Sequence, residues 1–227
     1  MQKDIVMVGT GDFADLVADF IENDMNRIIR AYVVDRKYLE KDEYNGKPVY
    51  AFEEVQEIFN KDEVSFVIGF VGPKMFKARL EKYEHLVKLG YELENIIHPS
   101  AVISKKIKIG NGNIILPLVS IEKGVEIGNC NVFCPQASIA HDAVLGHANY
   151  IASGFTAAGF SEIRSNCFCG VNSSVNNGAV IANYTFVGAG IFISKDTNEY
   201  DVFIPEKHEP LKRIKSISLR IFQSRRK

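Results

Sequence analysis

The chain has 227 residues and a formal net charge of −1. That is enough for one large or two modest domains with ample core, and too balanced for a chain-wide nucleic-acid footprint. No N-terminal stretch has the basic-then-apolar form of a signal peptide, and no apolar run approaches the length of a membrane span, which predicts a cytoplasmic protein. Along the chain, Asp4-Ile5-Val6-Met7-Val8-Gly9 reads as a short buried strand ending in glycine. Phe13, Leu16, Val17, Phe20 and Ile21 then recur at helical spacing and predict a helix from Phe13 to Asn23. Ile28 to Val34 is expected as a second strand, Glu53 to Phe59 as a short helix and Val64 to Val71 as a third strand. Pro73 opens a further helix through Leu89, with Gly90 as its C-cap. Alternating strands and helices imply a small Rossmann-like parallel sheet, an α/β domain over residues 1–95.

Gly9-Thr10-Gly11-Asp12-Phe13-Ala14 fits G-x-G-x-x-A between a strand and a helix, and Asp35 closes the second strand. Glycines let phosphate approach the backbone, a helix N-terminus favours anions, and Asp35 can hydrogen-bond a ribose or a base. Three clear strands make only half a dinucleotide-binding fold, and nothing downstream resembles a substrate domain for hydride chemistry. A nucleotide-sugar diphosphate is therefore the expected ligand at Gly9, Thr10, Gly11 and Asp35, with a purely structural glycine turn as the alternative.

From Ile97 to Asn198 the chain keeps one six-residue frame. Every sixth residue from Ile97 to Ile193 is a large apolar one, except Ala157 and Cys169. Four residues after most of these comes a small side chain, as at Ala101, Ala137, Ala143, Ser161, Cys167, Ser173 and Ala179. Helices repeat every 3.6 residues and strands every two; a strict period of six is that of a hexapeptide β-helix. Each hexad forms one flat face of a triangular prism, and its aliphatic residue points inward to stack on its equivalent eighteen residues away. The β-helix is predicted over residues 96–200, with a basic tail over 201–227. The four cysteines, Cys130, Cys134, Cys167 and Cys169, include no C-x-x-C pair. Cys167 and Cys169 fall on inward positions, so core packing is expected of them rather than zinc binding or a disulfide.

His141-Asp142 sits near a corner of the prism, and an inward histidine would disrupt the aliphatic stack, so this one is expected to point out. Acyl transfer from a thioester needs a base for the nucleophile's proton, and a histidine oriented by a carboxylate suits that role. A solvated surface histidine is the alternative that spacing alone leaves open.

The Gly9-Thr10-Gly11 turn, Ile97-His98-Pro99-Ser100-Ala101, His141-Asp142-Ala143-Val144-Leu145-Gly146, and Val187-Gly188-Ala189-Gly190 followed by Lys195-Asp196 together resemble the bacterial sugar O-acyltransferase family. That family is typified by sialic-acid O-acetyltransferases of the NeuD type. Related members are the N-acetyltransferases of UDP-4-amino-sugars (PglD type) and of perosamine. The resemblance covers nearly the whole chain. It implies a left-handed β-helix, a homotrimer with its active site between subunits, acetyl-CoA as cosubstrate and no metal. It further implies His141 as general base, Asp142 as its carboxylate partner, and Gly159, one coil on, as N–H donor to the thioester carbonyl. The cofactor would also be met by Gly188, Ala189 and Gly190, and by Tyr150, which stands where many relatives carry a second histidine. The family's G-x-G-G-H opening is here Gly9-Thr10-Gly11-Asp12-Phe13.

The expected activity is acetyl-CoA-dependent N-acetylation of a nucleotide-linked amino sugar in a ternary complex. Sugar O-acetylation and a non-catalytic nucleotide-sugar-binding trimer are the alternatives. A zinc hydratase on the same β-helix would need three histidines at whole-coil spacings, and after His147 the next is His208. If helical, Leu211 to Lys227 would set Ile214, Ile217 and Ile221 opposite Lys212, Lys215 and Arg226. A terminal helix packed on a neighbouring subunit, or a frayed tail, is expected, with membrane contact as the alternative.

Overall fold

A computed structural model describes residues 2–71 and 77–206. The basic stretch from Leu211 to Lys227, and Pro73 at the expected helix start, lie outside the described residues. The N-terminal sheet comprises β1 (Asp4–Val8), β2 (Ile29–Val34), β3 (Glu43–Tyr44), β4 (Lys47–Ala51), β5 (Val64–Ile68) and β6 (Glu92–Leu93). Their order is β3-β4-β2-β1-β5-β6, parallel throughout except for the antiparallel β3–β4 edge. The helices are α1 (Asp12–Asp19), α2 (Val55–Ile58) and α3 (Lys77–Lys88). A single π-turn, Phe20–Asp24, prolongs α1. Gly90, at φ +86°, closes α3 as its C-terminal cap.

The sheet has twice the three strands that the sequence suggests. β3 and β6 are two residues long, too short for any periodicity, and β4 carries Pro48 beside the edge, where a missing N–H is tolerated. Neighbouring strands, not local preference, hold these segments extended.

From Ile96 onward the chain winds into a left-handed parallel β-helix with three sheets. The first face stacks Ile96–Ile97, Ile114–Ile115, Val132–Phe133, Tyr150–Ile151, Phe168–Cys169, Phe186–Val187 and Val202–Phe203. The second runs from Val102–Ile103 to Phe192–Ile193 and the third from Lys108–Ile109 to Val180–Ile181. Residues eighteen apart are paired, as Glu126 with Val144 and Ser120 with Ser138, so successive rungs lie about 4.8 Å apart.

The period of six has a backbone cause. From Gly112 onward each hexad holds one residue at positive φ, where the chain turns a corner: Gly112, Leu118, Gly124, Cys130, Gln136, Asp142, Ala148, Gly154, Phe160, Asn166, Asn172, Gly178, Tyr184 and Gly190. Asp142 and Phe160 thus occupy left-handed conformations that cost a side-chain-bearing residue about 1–2 kcal/mol.

Inside, the aliphatic columns form one continuous core. Ala157 leaves a gap in its column, and the fully buried Phe155, standing where a small residue is the rule, adds bulk beside it. Cys167 and Cys169 are both fully buried in this core. At the corner between the third and first faces an asparagine ladder completes the interior. The side-chain oxygens of Asn95, Asn113, Asn131 and Asn149 accept the N–H groups of Asn113, Asn131, Asn149 and Cys167 at 2.8–2.9 Å.

The α/β part packs on the first face, where Ile96, Ile114 and Val132 join Ile5, Met7, Val17 and Ile21 in one buried cluster. Buried Arg79 on α3 spans the junction, donating to the carbonyls of Ile68 and Phe70 and, at 3.3 Å, to that of Cys130. His98 also bridges the two parts, pairing with Asp24 at 3.2 Å and packing edge-on against Phe20.

Candidate active site

The corner between the second and third faces lies opposite the α/β part and carries Lys105, Lys123, His141, Gly159, Asn177 and Lys195 in one column, each eighteen residues from the last. His141 points outward, its side chain 43 % exposed. Four contacts fix it. Its Nδ1 lies 2.9 Å from Asp142 Oδ2, its backbone N–H donates to Glu122 Oε2 at 2.8 Å, its carbonyl accepts the Phe160 N–H at 3.1 Å, and its ring meets that of Phe160 edge-on at 5.1 Å. With Nδ1–H donated to the carboxylate, Nε2 is the basic nitrogen. It carries no hydrogen bond among the described residues.

The imidazole leans toward the following rung. A Cβ at Gly159 would stand 2.8 Å from both Cε1 and Nε2 of His141 and 3.3 Å from Asn177 Nδ2. The Gly159 carbonyl accepts the Gly178 N–H at 3.1 Å, while its own N–H makes no hydrogen bond among the described residues. Asp142 leans the other way: its Oδ1 would lie only 2.1 Å from a Cβ at Gly124. Beyond Gly159 the column opens into a shallow cavity of about 440 Å³ lined by Asn177, Gly178, Ala179, Ser194, Lys195 and Asp196. The corner therefore offers a carboxylate-oriented imidazole, an unbonded amide donor beside it and a shallow hollow beyond.

The other expected residues fall elsewhere. Tyr150 lies on the first face, stacked on Phe168 with ring centroids 5.6 Å apart; burial, and then its bond to Cys134, push its hydroxyl up. Gly188, Ala189 and Gly190 occupy the corner between the first and second faces, one face away from His141. His147 sits at the remaining corner, where its Nδ1 accepts the Asn129 N–H at 2.9 Å. Glu122 and Phe160 were not singled out by the sequence. Phe160 has a signal in hindsight, a bulky side chain at a turn position that Gly124, Gly154, Gly178 and Gly190 fill elsewhere.

A second, larger cavity of about 900 Å³ opens in the α/β part, and it brings Gly9, Thr10 and Asp35 together. Gly9 adopts φ +110° at the end of β1, with Gly69 O 3.3 Å from where its Cβ would be, so glycine is required there. Asp35 pairs with Lys82, whose Nζ also sits 3.7 Å over the Phe52 ring. Gly11 does not line the cavity; it precedes α1 and its carbonyl accepts the Asp15 N–H. The first turn of α1 carries Asp12 and Asp15. Among the described residues no group of three or more histidine, cysteine or acidic side chains is placed to hold a metal ion, and no helix is long and apolar enough to cross a membrane.

No protein-family model matches the chain, and no curated protein matches it. Solved structures do. The acetyltransferase domain of PglB from Neisseria gonorrhoeae FA1090 superposes with a TM-score of 0.80 at 18 % identity, over 92 % of this chain and 100 % of that one. It has also been solved with acetyl coenzyme A. PerB from Caulobacter crescentus, in complex with CoA and GDP-perosamine, gives 0.79 at 24 % identity over 90 % and 95 %. WeeI from Acinetobacter baumannii AYE gives 0.77 at 18 % over 90 % and 97 %. At these identities the likeness is one of fold: an α/β part followed by a left-handed β-helix.

Proposed function

We propose that this chain is an acetyl-CoA-dependent N-acetyltransferase of a nucleotide-linked amino sugar. The observation that carries the reading is the pairing of His141, oriented by Asp142, with the unbonded N–H of Gly159 on the next rung. The neutral sugar amine attacks the thioester carbonyl carbon, forming the C–N bond and a tetrahedral oxyanion. The Gly159 N–H donates to that oxyanion as its charge develops. His141 Nε2 accepts the proton from nitrogen while Asp142 stabilises the imidazolium. The C–S bond then breaks, and the thiolate takes the proton from His141 to leave as CoA thiol. The solved relatives with CoA, acetyl-CoA or GDP-perosamine bound support both ligand classes.

The same reading requires more than one copy of the chain. The α/β part, with Gly9, Thr10 and Asp35, covers the first face, while His141 lies at the opposite corner. A nucleotide sugar held in that cavity therefore meets the His141 of a neighbouring copy. In a homotrimer the acetyl-CoA lies between two prisms, along the His141–Lys195 corner of one. Gly188, Ala189 and Gly190, and more remotely Tyr150, would come from the other.

The deciding experiment follows CoA release by the purified protein against a panel of UDP-, dTDP- and GDP-linked amino sugars. Turnover on one of them supports the reading. Good acetylation of free sialic acid with none on the panel would move the function to O-acetylation.

A further inference from the structure

We propose that Lys105, Lys106 and Lys123 form a dock for the diphosphate of the acceptor, on the side of His141 away from the acyl-CoA channel; this rests on the acetyltransferase reading. Lys123 stands one rung before His141 in the same corner column, and Lys105 two rungs before it, about 5 and 10 Å along the prism. The backbone fixes the register: the Asp142 N–H donates to the Lys123 carbonyl at 3.1 Å and the Gly124 N–H to the Lys106 carbonyl at 2.7 Å. All three side chains are exposed. Among the described residues none makes an ion pair, although Lys108 and Arg164 on the adjoining face do. Glu122, the nearest acid in sequence, points one oxygen at the His141 N–H and pairs with none of the three.

The two sides of His141 differ in what they can hold. On the far side the ring leans on Gly159, and the shallow cavity beyond, where Gly178 and Ala179 stand among Asn177, Ser194, Lys195 and Asp196, leaves room for a slender acyl-carrying arm. On the near side three cations without an ion pair among the described residues begin one rung below the base, outnumbering the carboxylates of Glu122 and Asp142 there, whereas the far side of the column carries Lys195 beside Asp196. An amino sugar whose nitrogen touches Nε2 carries its anomeric oxygen one pyranose ring away and its two phosphates just beyond, the span from His141 to Lys123 and Lys105. An ammonium facing phosphate makes the stronger, charge-assisted kind of hydrogen bond.

The α/β cavity leaves this need open. A phosphate at the glycine turn usually sits on the N-terminus of the following helix, but α1 begins with Asp12 and Asp15. The cavity lining sets Lys37 and Lys82 against Asp35, Glu53 and Glu81, so it favours a nucleoside over a diphosphate. The lysines of the corner supply the missing charge, and the acceptor is thereby read from both ends.

The test is the triple variant K105Q/K106Q/K123Q in the full chain, with thermal melting to confirm that it folds. For the nucleotide amino sugar, KM is expected to rise about tenfold or more, with kcat falling far less and the acetyl-CoA KM unchanged. Inorganic pyrophosphate should compete with the acceptor in the wild type and lose that effect in the variant. A rise in the acetyl-CoA KM instead, or no change in either, overturns the dock. If the wild type turns over no acceptor at all, the acetyltransferase reading fails by itself. Calorimetry with pyrophosphate then decides the dock alone: equal binding by wild type and variant overturns it, and loss in the variant upholds it.

Discussion

Gly159 lies against the imidazole of His141, close enough that a Cβ at residue 159 would stand 2.8 Å from both Cε1 and Nε2. Its backbone does not require glycine, since its φ lies outside the left-handed region; the neighbouring ring does. Gly159→Ala keeps the amide N–H but pushes the imidazole off its position. A displacement of that size costs about 100-fold in kcat, and the melting temperature should barely move. Steady-state kinetics beside a thermal melt separates the two effects; full activity in the alanine variant would show that the ring is free to move.

His141→Ala removes the proposed base and Asp142→Asn the carboxylate at its Nδ1. Loss of a general base lowers turnover by about 10²- to 10⁴-fold, and nucleotide binding in the α/β cavity should persist. Measuring CoA release and nucleoside diphosphate affinity on each variant checks both halves. Intact turnover without His141 would remove it as the base, whereas intact function in vivo with no CoA release from either protein would favour a binding protein.

Phe160 sits at φ +59° and is 59 % exposed, so it holds a strained backbone position while burying little. Phe160→Gly should relieve about 1 kcal/mol of strain and leave the protein equally or more stable. It also removes the ring that meets His141 edge-on, so kcat should fall roughly tenfold. Stability and activity moving in opposite directions is the outcome to look for.

Asn131 stands in the middle of the buried ladder, accepting the Asn149 N–H at 2.9 Å and donating to Asn113 Oδ1 and the Gly146 carbonyl, both at 3.0 Å. Asn131→Ala leaves buried partners unsatisfied, each worth about 1–3 kcal/mol. Urea unfolding should show a loss of that order. A near-neutral effect would mean that water enters the corner.

All four cysteines are buried, so none should react with a thiol reagent at pH 8 until the protein unfolds. Burial raises the Cys167 thiol from 9.0 to about 12. The folded state thus favours the neutral thiol. Its contribution is fully present below pH 9.0 and is lost as pH climbs toward about 12. The stability gap between wild type and Cys167→Ala should shrink across that window, as pH-dependent urea melts would show.

The sequence by itself determined the prism. A period of six is a local property: the inward aliphatic of each face recurs visibly from Ile97 to Ile193, while the positive φ that turns the corners from Gly112 to Gly190 falls on residues as varied as Leu118 and Tyr184 and shows only in the structure. It also placed His141 and Asp142 outward at a corner and Gly159 one rung away, since register along a β-helix is arithmetic on residue number. The three short or proline-bearing strands of the α/β sheet were not legible, because pairing with distant neighbours, not their own composition, holds them extended. Tertiary structure alone decided which face the α/β part covers. That docking depends on apolar contacts between Ile96, Ile114 and Val132 and side chains more than seventy residues earlier, such as Met7 and Val17. It sets the cavity at Gly9 and Asp35 on the side of the prism opposite His141.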